Sequence, residues 1–248
     1  MGGAVEERDG PVVVITGAGS GIGRAAVDLL AAQGVRVAAL DVNAESMAEL
    51  GVGHARVVDV TDEAAVTRAI EGVAERFGRI DGVVNCAGRF LVGALDEVDP
   101  ACVRDLLNVN ILGTTLVTQS ALPHLRRAGG AIVNVSSLAG VKPTPSNAHY
   151  SASKAAVAHL ARCWALELGA DGIRVNAVAP GPVLTGIYRS AGMSQDEIEK
   201  LLARRRDATP LRRDGTAEEV ALWISRLVLA DEWVTGQVIA VDGGLSIS

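Results

Sequence analysis

Ser137 and the run Tyr150-Ser-Ala-Ser-Lys154 carry the sharpest chemical signal in the chain. On a helix, Tyr150 and Lys154 stand one turn apart on the same face, so an ammonium can lie beside a phenol. The chain has three lysines (Lys142, Lys154, Lys200) against twenty arginines, and only two tyrosines. A chance Tyr-x-x-x-Lys is therefore expected at about 0.02 per chain. A phenol with an ordinary pKa of about 10 is a poor base at neutral pH, but a neighbouring ammonium and an oxidised nicotinamide would both favour phenolate and lower that value. Tyr150 is then expected to accept an alcohol proton while hydride leaves the carbon, with Ser137 holding the same oxygen. Lys154, compact on a flexible stem, can bond a ribose and also lie near the phenolate, which a planar guanidinium does less well.

Hydride needs a carrier, and Thr16-Gly17-Ala18-Gly19-Ser20-Gly21-Ile22-Gly23 between an apolar strand and a helical stretch is a candidate cradle for one. Glycines allow close backbone approach, and a helix N-terminus presents unpaired N–H groups to a pyrophosphate. The spacing is G-x-x-x-G-x-G, not G-x-G-x-x-G, and the lysine of a P-loop is missing. Gly17, Ser20, Gly21, Ile22 and Gly23 are the expected contacts. Asp41, eighteen residues beyond Gly23 at the end of the second strand, is placed to accept hydrogen bonds from the adenosine ribose and to repel a 2′-phosphate. Neither Ser20 nor Val42 offers the positive charge that would welcome that phosphate, although Arg24 and Arg36 are nearby cations that argue the other way. NAD is expected in preference to NADP.

These residues need a scaffold. In 248 residues, 49% of them hydrophobic, strand-length apolar runs alternate with helix-length stretches. The strand candidates are Val12 to Ile15, Val35 to Leu40, Ala55 to Val58, Gly82 to Asn85, Ala131 to Val135, Arg174 to Ala177 and Gln237 to Val241. They are apolar throughout, as strands buried on both faces are, which predicts a parallel sheet between two helix layers. The expected fold is α/β, a single doubly wound Rossmann-type domain with about seven parallel strands. Helix starts are marked by Asp99 before Pro100, by Ser194-x-x-Glu197 and by Thr216-x-x-Glu219, and Tyr150 to Leu168 reads as a long helix. Residues 1–10 are expected to form a flexible lead and 11–248 one dinucleotide-binding and catalytic domain. The polar stretch within 186–214 is expected to be a mobile segment over the substrate.

Composition narrows the partners. With 23 Lys+Arg against 29 Asp+Glu the formal net charge is −6, which disfavours nucleic acid and anionic membrane as partners. No apolar run approaches the roughly 18 residues of a membrane span, and the N-terminus lacks the basic start and apolar stretch of a signal peptide. A cytoplasmic protein acting on a small molecule is expected. Cys86, Cys102 and Cys163 read as buried small hydrophobes. The four histidines (His54, His124, His149, His159) show no ligand spacing, and no metal is expected. Arg204, Arg205, Arg206, Arg212 and Arg213 read as a solvated face in preference to a grip on a carboxylate or phosphopantetheine.

From Val12 to Gly244 further motifs follow in order: Asp59-Val60, Asn85-Cys-Ala-Gly88, Asn108-Val-Asn110, Ser136-Ser137, Arg174-Val-Asn176, Pro180-Gly181-x-x-x-Thr185 and Thr235-Gly-Gln-x-x-x-Val-Asp242-Gly-Gly244. With the glycine run and the Tyr/Lys pair, the chain resembles the short-chain dehydrogenases/reductases of the compact type. The resemblance implies that Asn110 kinks its helix and holds a water linking Lys154 to solvent, and that Asp59 and Val60 contact adenine. It also implies that Asn85, Ala87 and Gly88 flank the cofactor, that Pro180 and Gly181 belong to its site, and that Val183 and Thr185 meet its carboxamide end. Cys86 departs from many relatives, which carry a second Asn there. A homotetramer is implied, with contacts through the helices around Asp99 to Leu125 and Tyr150 to Leu168 and through the C-terminal strand.

The reaction expected is NAD-dependent interconversion of a secondary alcohol and a ketone. The pocket is expected to be mostly apolar, walled by Leu138, Thr144, Asn147, Pro182, Ile187, Tyr188 and the segment to Asp214. The alternatives are a 3-oxoacyl thioester (acyl-carrier-protein) reductase, a dihydrodiol dehydrogenase and, from another class, a catalytically inactive dinucleotide sensor. A sensor would have no use for Ser137, Tyr150 and Lys154 together.

Overall fold

The computed structural model describes residues 10–230 and 232–248, so the expected flexible lead lies, but for Gly10, outside the described residues. Seven strands, β1 (Val12–Thr16), β2 (Arg36–Asp41), β3 (His54–Val57), β4 (Gly82–Asn85), β5 (Ala131–Val135), β6 (Arg174–Pro180) and β7 (Val238–Val241), form one sheet in the order β3-β2-β1-β4-β5-β6-β7. Every pairing is parallel.

The side chains of β1 show how the sheet is covered. Val13 and Ile15 enter a core with Ala26, Val27 and Leu30 of α1 (Gly21–Ala32) and with Val220, Ile224 and Leu227 of α9 (Ala217–Leu229). Val12 and Val14 enter the opposite core. There they join Val66, Ile70 and Val73 of α3 (Glu63–Phe77), Val117, Ala121 and Leu125 of α5 (Thr114–Ala128), and Ala161 and Leu168 of α6 (Ala148–Leu168). Alternate residues of one strand thus serve two helix layers, which accounts for the unbroken apolar runs. The edges differ. In β3 only His54 is fully buried, and no residue of β7 is, so the expectation of strands apolar on both faces holds for the five interior strands and fails at the two edges.

The chain runs outward from β1 through β2 to β3, then returns to place β4 on the other side of β1. That reversal leaves a crevice beyond the strands' carboxyl ends, where open α/β sheets bind ligands. β4 and β5 have the expected bounds and the other five strands differ from theirs by one to three residues, while the long helix begins at Ala148, which puts Tyr150 in its first turn. The predicted caps are present. Asp99 accepts from Ala101 N at 2.7 Å ahead of α4 (Pro100–Leu107), and reciprocal capping boxes open α8 (Gln195–Ala208) and α9.

The polar segment expected to be mobile contains α7 (Ile187–Ser190) and α8. Ile198 and Leu202, one turn apart on α8, are buried in a third cluster with Phe90, Leu106, Tyr150 and Tyr188. Two apolar residues at helical spacing suffice to seat an otherwise polar helix over the crevice. Cys102 is exposed, contrary to expectation, and Cys86 and Cys163 are half-buried. The remaining helix, α2 (Ala44–Ala48), follows β2.

Candidate active site

The crevice is built first from backbone. Gly17 has φ +64°, and a Cβ on Gly23 would stand 2.0 Å from the Gly17 carbonyl oxygen, so the turn between β1 and α1 closes only with glycine at both places. Thr16 Oγ1 accepts from the amides of Cys86 and Ala87, both at 3.2 Å, stitching this turn to the loop after β4. Ser20, the N-cap residue of α1, makes no side-chain cap, and the first turn carries no acidic residue. The leading amides of α1 therefore face the crevice without an anionic partner from the chain. Asp41 accepts from Gly19 N and from Asn43 N, both at 2.9 Å, which fixes its carboxylate against the glycine loop at the crevice wall.

The reacting groups come from β5 and α6. Ser137 follows β5 and accepts from Ala139 N at 3.2 Å. Ser136 donates to the Lys154 carbonyl at 2.7 Å, and Lys154 Nζ donates to the Val135 carbonyl at 2.8 Å, so strand end and helix are cross-tied. Burial with no carboxylate beside it brings the Lys154 pKa down to about 8. Tyr150 behaves otherwise than expected. Burial pushes its phenol up to about 12, with the Ser137 hydroxyl and the Arg205 guanidinium offsetting part of the rise. The Lys154 ammonium is turned to the Val135 carbonyl, so in the protein alone desolvation outweighs it.

Asn110 lies in a π-helical segment, Asn108–Gly113, between α4 and α5. Such a turn is a local kink in an otherwise continuous helix. Its side chain is fully buried: Oδ1 accepts from Arg89 N at 2.8 Å, and Nδ2 donates to the Arg89 carbonyl at 3.1 Å and to Ser153 Oγ at 2.9 Å. It ties the loop after β4 to α6 one residue from Lys154.

A cavity of about 840 Å³ occupies the crevice. Of the expected residues, Gly17, Ser20, Gly21, Ile22, Asp41, Asp59, Val60, Ala87, Gly88, Ser137, Tyr150, Lys154, Pro180, Gly181, Val183 and Thr185 line it. Gly23, Asn85 and Asn110 do not. Gly23 packs beneath the loop, and Asn85 points into the core, donating to Thr118 Oγ1 at 3.0 Å and Asn134 Oδ1 at 2.9 Å. On the substrate side Leu138, Thr144, Pro182, Ile187 and Tyr188 form walls as expected, whereas Asn147 stands behind and accepts from Thr144 and Ser151.

Sequence reasoning missed two features of the wall. Phe90 stands edge-on to both tyrosines, with ring centroids 4.8 Å from Tyr150 and 5.5 Å from Tyr188. The scarcity of aromatics could have flagged it: of two Phe and two Tyr, three meet here. The arginine run, read as a solvated face, divides. Arg206 pairs with Asp214 at 2.9 Å and Arg213 pairs with Glu219, while Arg204 and Arg205 line the cavity.

A family model described as "Enoyl-(Acyl carrier protein) reductase" matches residues 17–246. The chain is 39% identical over 250 residues to a 3-oxoacyl-[acyl-carrier-protein] reductase of Thermotoga maritima, covering 96% of this chain and 99% of that one. It is 41% identical over 254 residues to cis-4-hydroxycyclohexanecarboxylate dehydrogenase of Sinomonas cyclohexanicum, covering 98% of each. The ligand-free aldohexose dehydrogenase of Thermoplasma acidophilum superposes with a TM-score of 0.89 at 31% identity, covering 96% of this chain and 95% of that one. The parallel sheet, its glycine turn and these full-length likenesses establish that the chain belongs to the short-chain dehydrogenase/reductase family, as an oxidoreductase acting on CH–OH groups with a nicotinamide dinucleotide.

Proposed function

We propose that the protein interconverts a secondary alcohol and a ketone, with NAD as its dinucleotide. Asp41 is the observation that carries the cofactor choice. It lines the adenosine side with Asp59, and among the described residues no Lys or Arg lines that side with them. The two cations that could have welcomed a 2′-phosphate are engaged elsewhere: Arg24 binds Asp28 at 3.1 Å, and Arg36 binds the Gly10 carbonyl at 2.9 Å and lies over the Phe77 ring.

The site fits such a group, with uncapped amides of α1 for a pyrophosphate, Asp41 for ribose hydroxyls, and a Lys154 ammonium that spends one donor on Val135. When bound, the dinucleotide supplies the carbon that takes up or gives hydride. The chain's own groups handle the proton. Ser137 Oγ orients the substrate oxygen; Tyr150 Oη takes its proton in oxidation and returns it in reduction. Lys154 holds a ribose hydroxyl, and Asn110 keeps the loop after β4 and α6 in register. Leu107 of α4, Leu112 of the π-helical segment and Leu166 of α6 are exposed apolar residues on the helices expected to form subunit contacts, which supports assembly as a homotetramer. No helix among the described residues is long and apolar enough to cross a membrane.

Fluorescence titration with NADH and NADPH tests the reading. NADH should bind tighter, and Asp41→Ala should weaken it by about tenfold, the worth of hydrogen bonds to a charged acceptor. A preference for NADPH, with turnover of 3-oxoacyl thioesters, would overturn it in favour of the thioester reductase.

A further inference from the structure

The two ends of the cavity carry opposite charge. The acidic lining residues, Asp41 and Asp59, are at the adenosine end; the substrate end is lined by Arg89, Lys142, Arg204 and Arg205 and, among the described residues, by no carboxylate, the Asp214 carboxylate near Tyr188 standing outside the lining and paired with Arg206. These cations are not equivalent. Arg89 lies 3.6 Å from Asp105, and Lys142 donates to the backbone carbonyls of Leu245 and Ser248. Arg205, half-buried, has one polar contact among the described residues, Nη1 to Tyr188 Oη at 3.4 Å. A guanidinium carries five donors in a planar fork suited to a carboxylate, and taking it partly out of water with a single long bond to a neutral phenol is unfavourable unless something else completes it. Two residues of the same run, Arg206 and Arg213, found acidic partners on the chain; Arg205 was turned inward instead.

The distance to the reacting centre is set by rings. Phe90 stands between Tyr150 and Tyr188 in edge contact with each, and Arg205 sits on Tyr188. The guanidinium is also near enough to Tyr150 to act on its hydroxyl. The lining also includes apolar Phe90, Leu138 and Ile187, the first and last of which pack with the two tyrosines. We propose that the substrate is a hydroxy acid and the product its keto acid, with the carboxylate on Arg205, the carbinol on Tyr150 and Ser137, and an apolar spacer about one ring in breadth between them. This rests on the dehydrogenase reading above and narrows it.

The test compares acids with their methyl esters, from 3-hydroxybutyrate to the 3- and 4-hydroxycyclohexanecarboxylates, in the wild type and in Arg205→Met. At least one acid should exceed its ester in kcat/KM by about tenfold to a hundredfold, mainly through KM, as expected for a charge-assisted pair. In R205M that ratio should fall towards one. Esters preferred over every acid, or a ratio that R205M leaves unchanged, would overturn the assignment while leaving the dehydrogenase reading intact. A second readout needs no turnover. Cyclohexanecarboxylate should raise the Tm of the NAD-loaded wild type and not that of R205M, and equal shifts, or none in either, would also overturn it. Loss of turnover on every alcohol alongside a wild-type-specific Tm shift would support the anion site and sink the dehydrogenase reading instead.

Discussion

The adenosine half and the substrate half of the crevice are built by different means. In the first, backbone does the work: a turn that only glycine can close, uncapped amides at the start of α1, and Asp41 pinned by one amide of that turn, Gly19, and by the Asn43 amide just after β2. In the second, side chains from distant parts of the sequence converge, with Phe90 from the loop after β4, Tyr150 from α6, and Tyr188 and Arg205 from the polar segment. Backbone geometry demands particular residues at fixed spacing. Convergent side chains demand only that a wall be filled, so one family keeps its cofactor cradle while substrates change.

If that division is right, damage to each half should be readable separately. The largest effect is expected from Tyr150→Phe, which removes the proton carrier and little volume. Turnover should fall by about 10²–10⁴, the usual worth of a positioned acid/base, while NADH fluorescence titration still shows binding. A variant that retained full turnover would break the proposed chemistry.

Next comes Gly23→Ala. Its Cβ would meet a backbone oxygen, which cannot swing aside, so the turn itself must move. A loss of about 1–3 kcal/mol, typical of overpacking, should appear as a lower Tm together with weaker dinucleotide binding. Phe90→Leu is its counterpart in the other half. It should change substrate KM and leave dinucleotide affinity alone, because Phe90 packs on Tyr150 and Tyr188 and not on the glycine turn. A Phe90 variant that lost NADH binding would show the halves to be coupled.

The same division explains what the sequence could disclose. The glycine turn, Asp41, and the Tyr150/Lys154 pair one helical turn apart were legible because backbone sterics and helix periodicity fix spacing locally. The interior strands were legible because both faces are buried, and β3 and β7 deviated because an edge strand has only one covered flank. Asn85 and Asn147 were expected at the cavity and do not line it, since whether an amide faces a cavity or the core depends on its partners, here Thr118 and Asn134 for the first and Thr144 and Ser151 for the second. Arg205 was misjudged for a related reason. Composition puts an arginine run in solvent, and only the seating of α8 by Ile198 and Leu202 turns one member of that run towards Tyr188.

The smallest expected effect is the most diagnostic of how the halves meet. In the protein alone the Tyr150 phenol is pushed up to about 12 by burial, so it is protonated across the neutral range and ready to give a proton to a ketone. Oxidation needs the opposite form. The positive charge of an oxidised nicotinamide, when bound, would bring the phenol's pKa down, so alcohol oxidation should rise with pH from neutral into the alkaline range, whereas ketone reduction should decline over the same interval. Arg205 contributes a second positive charge that holds the phenol down. Its removal must therefore move the oxidation limb to higher pH, by less than about one pH unit for a single partly solvated charge. Measured with cyclohexanol, which has no carboxylate to lose, the limb in Arg205→Met should lie alkaline of the wild type and respond less to added salt. A limb that stayed in place or moved to lower pH would show that the guanidinium does not reach the phenol, and the two halves would then share a cavity without sharing a field.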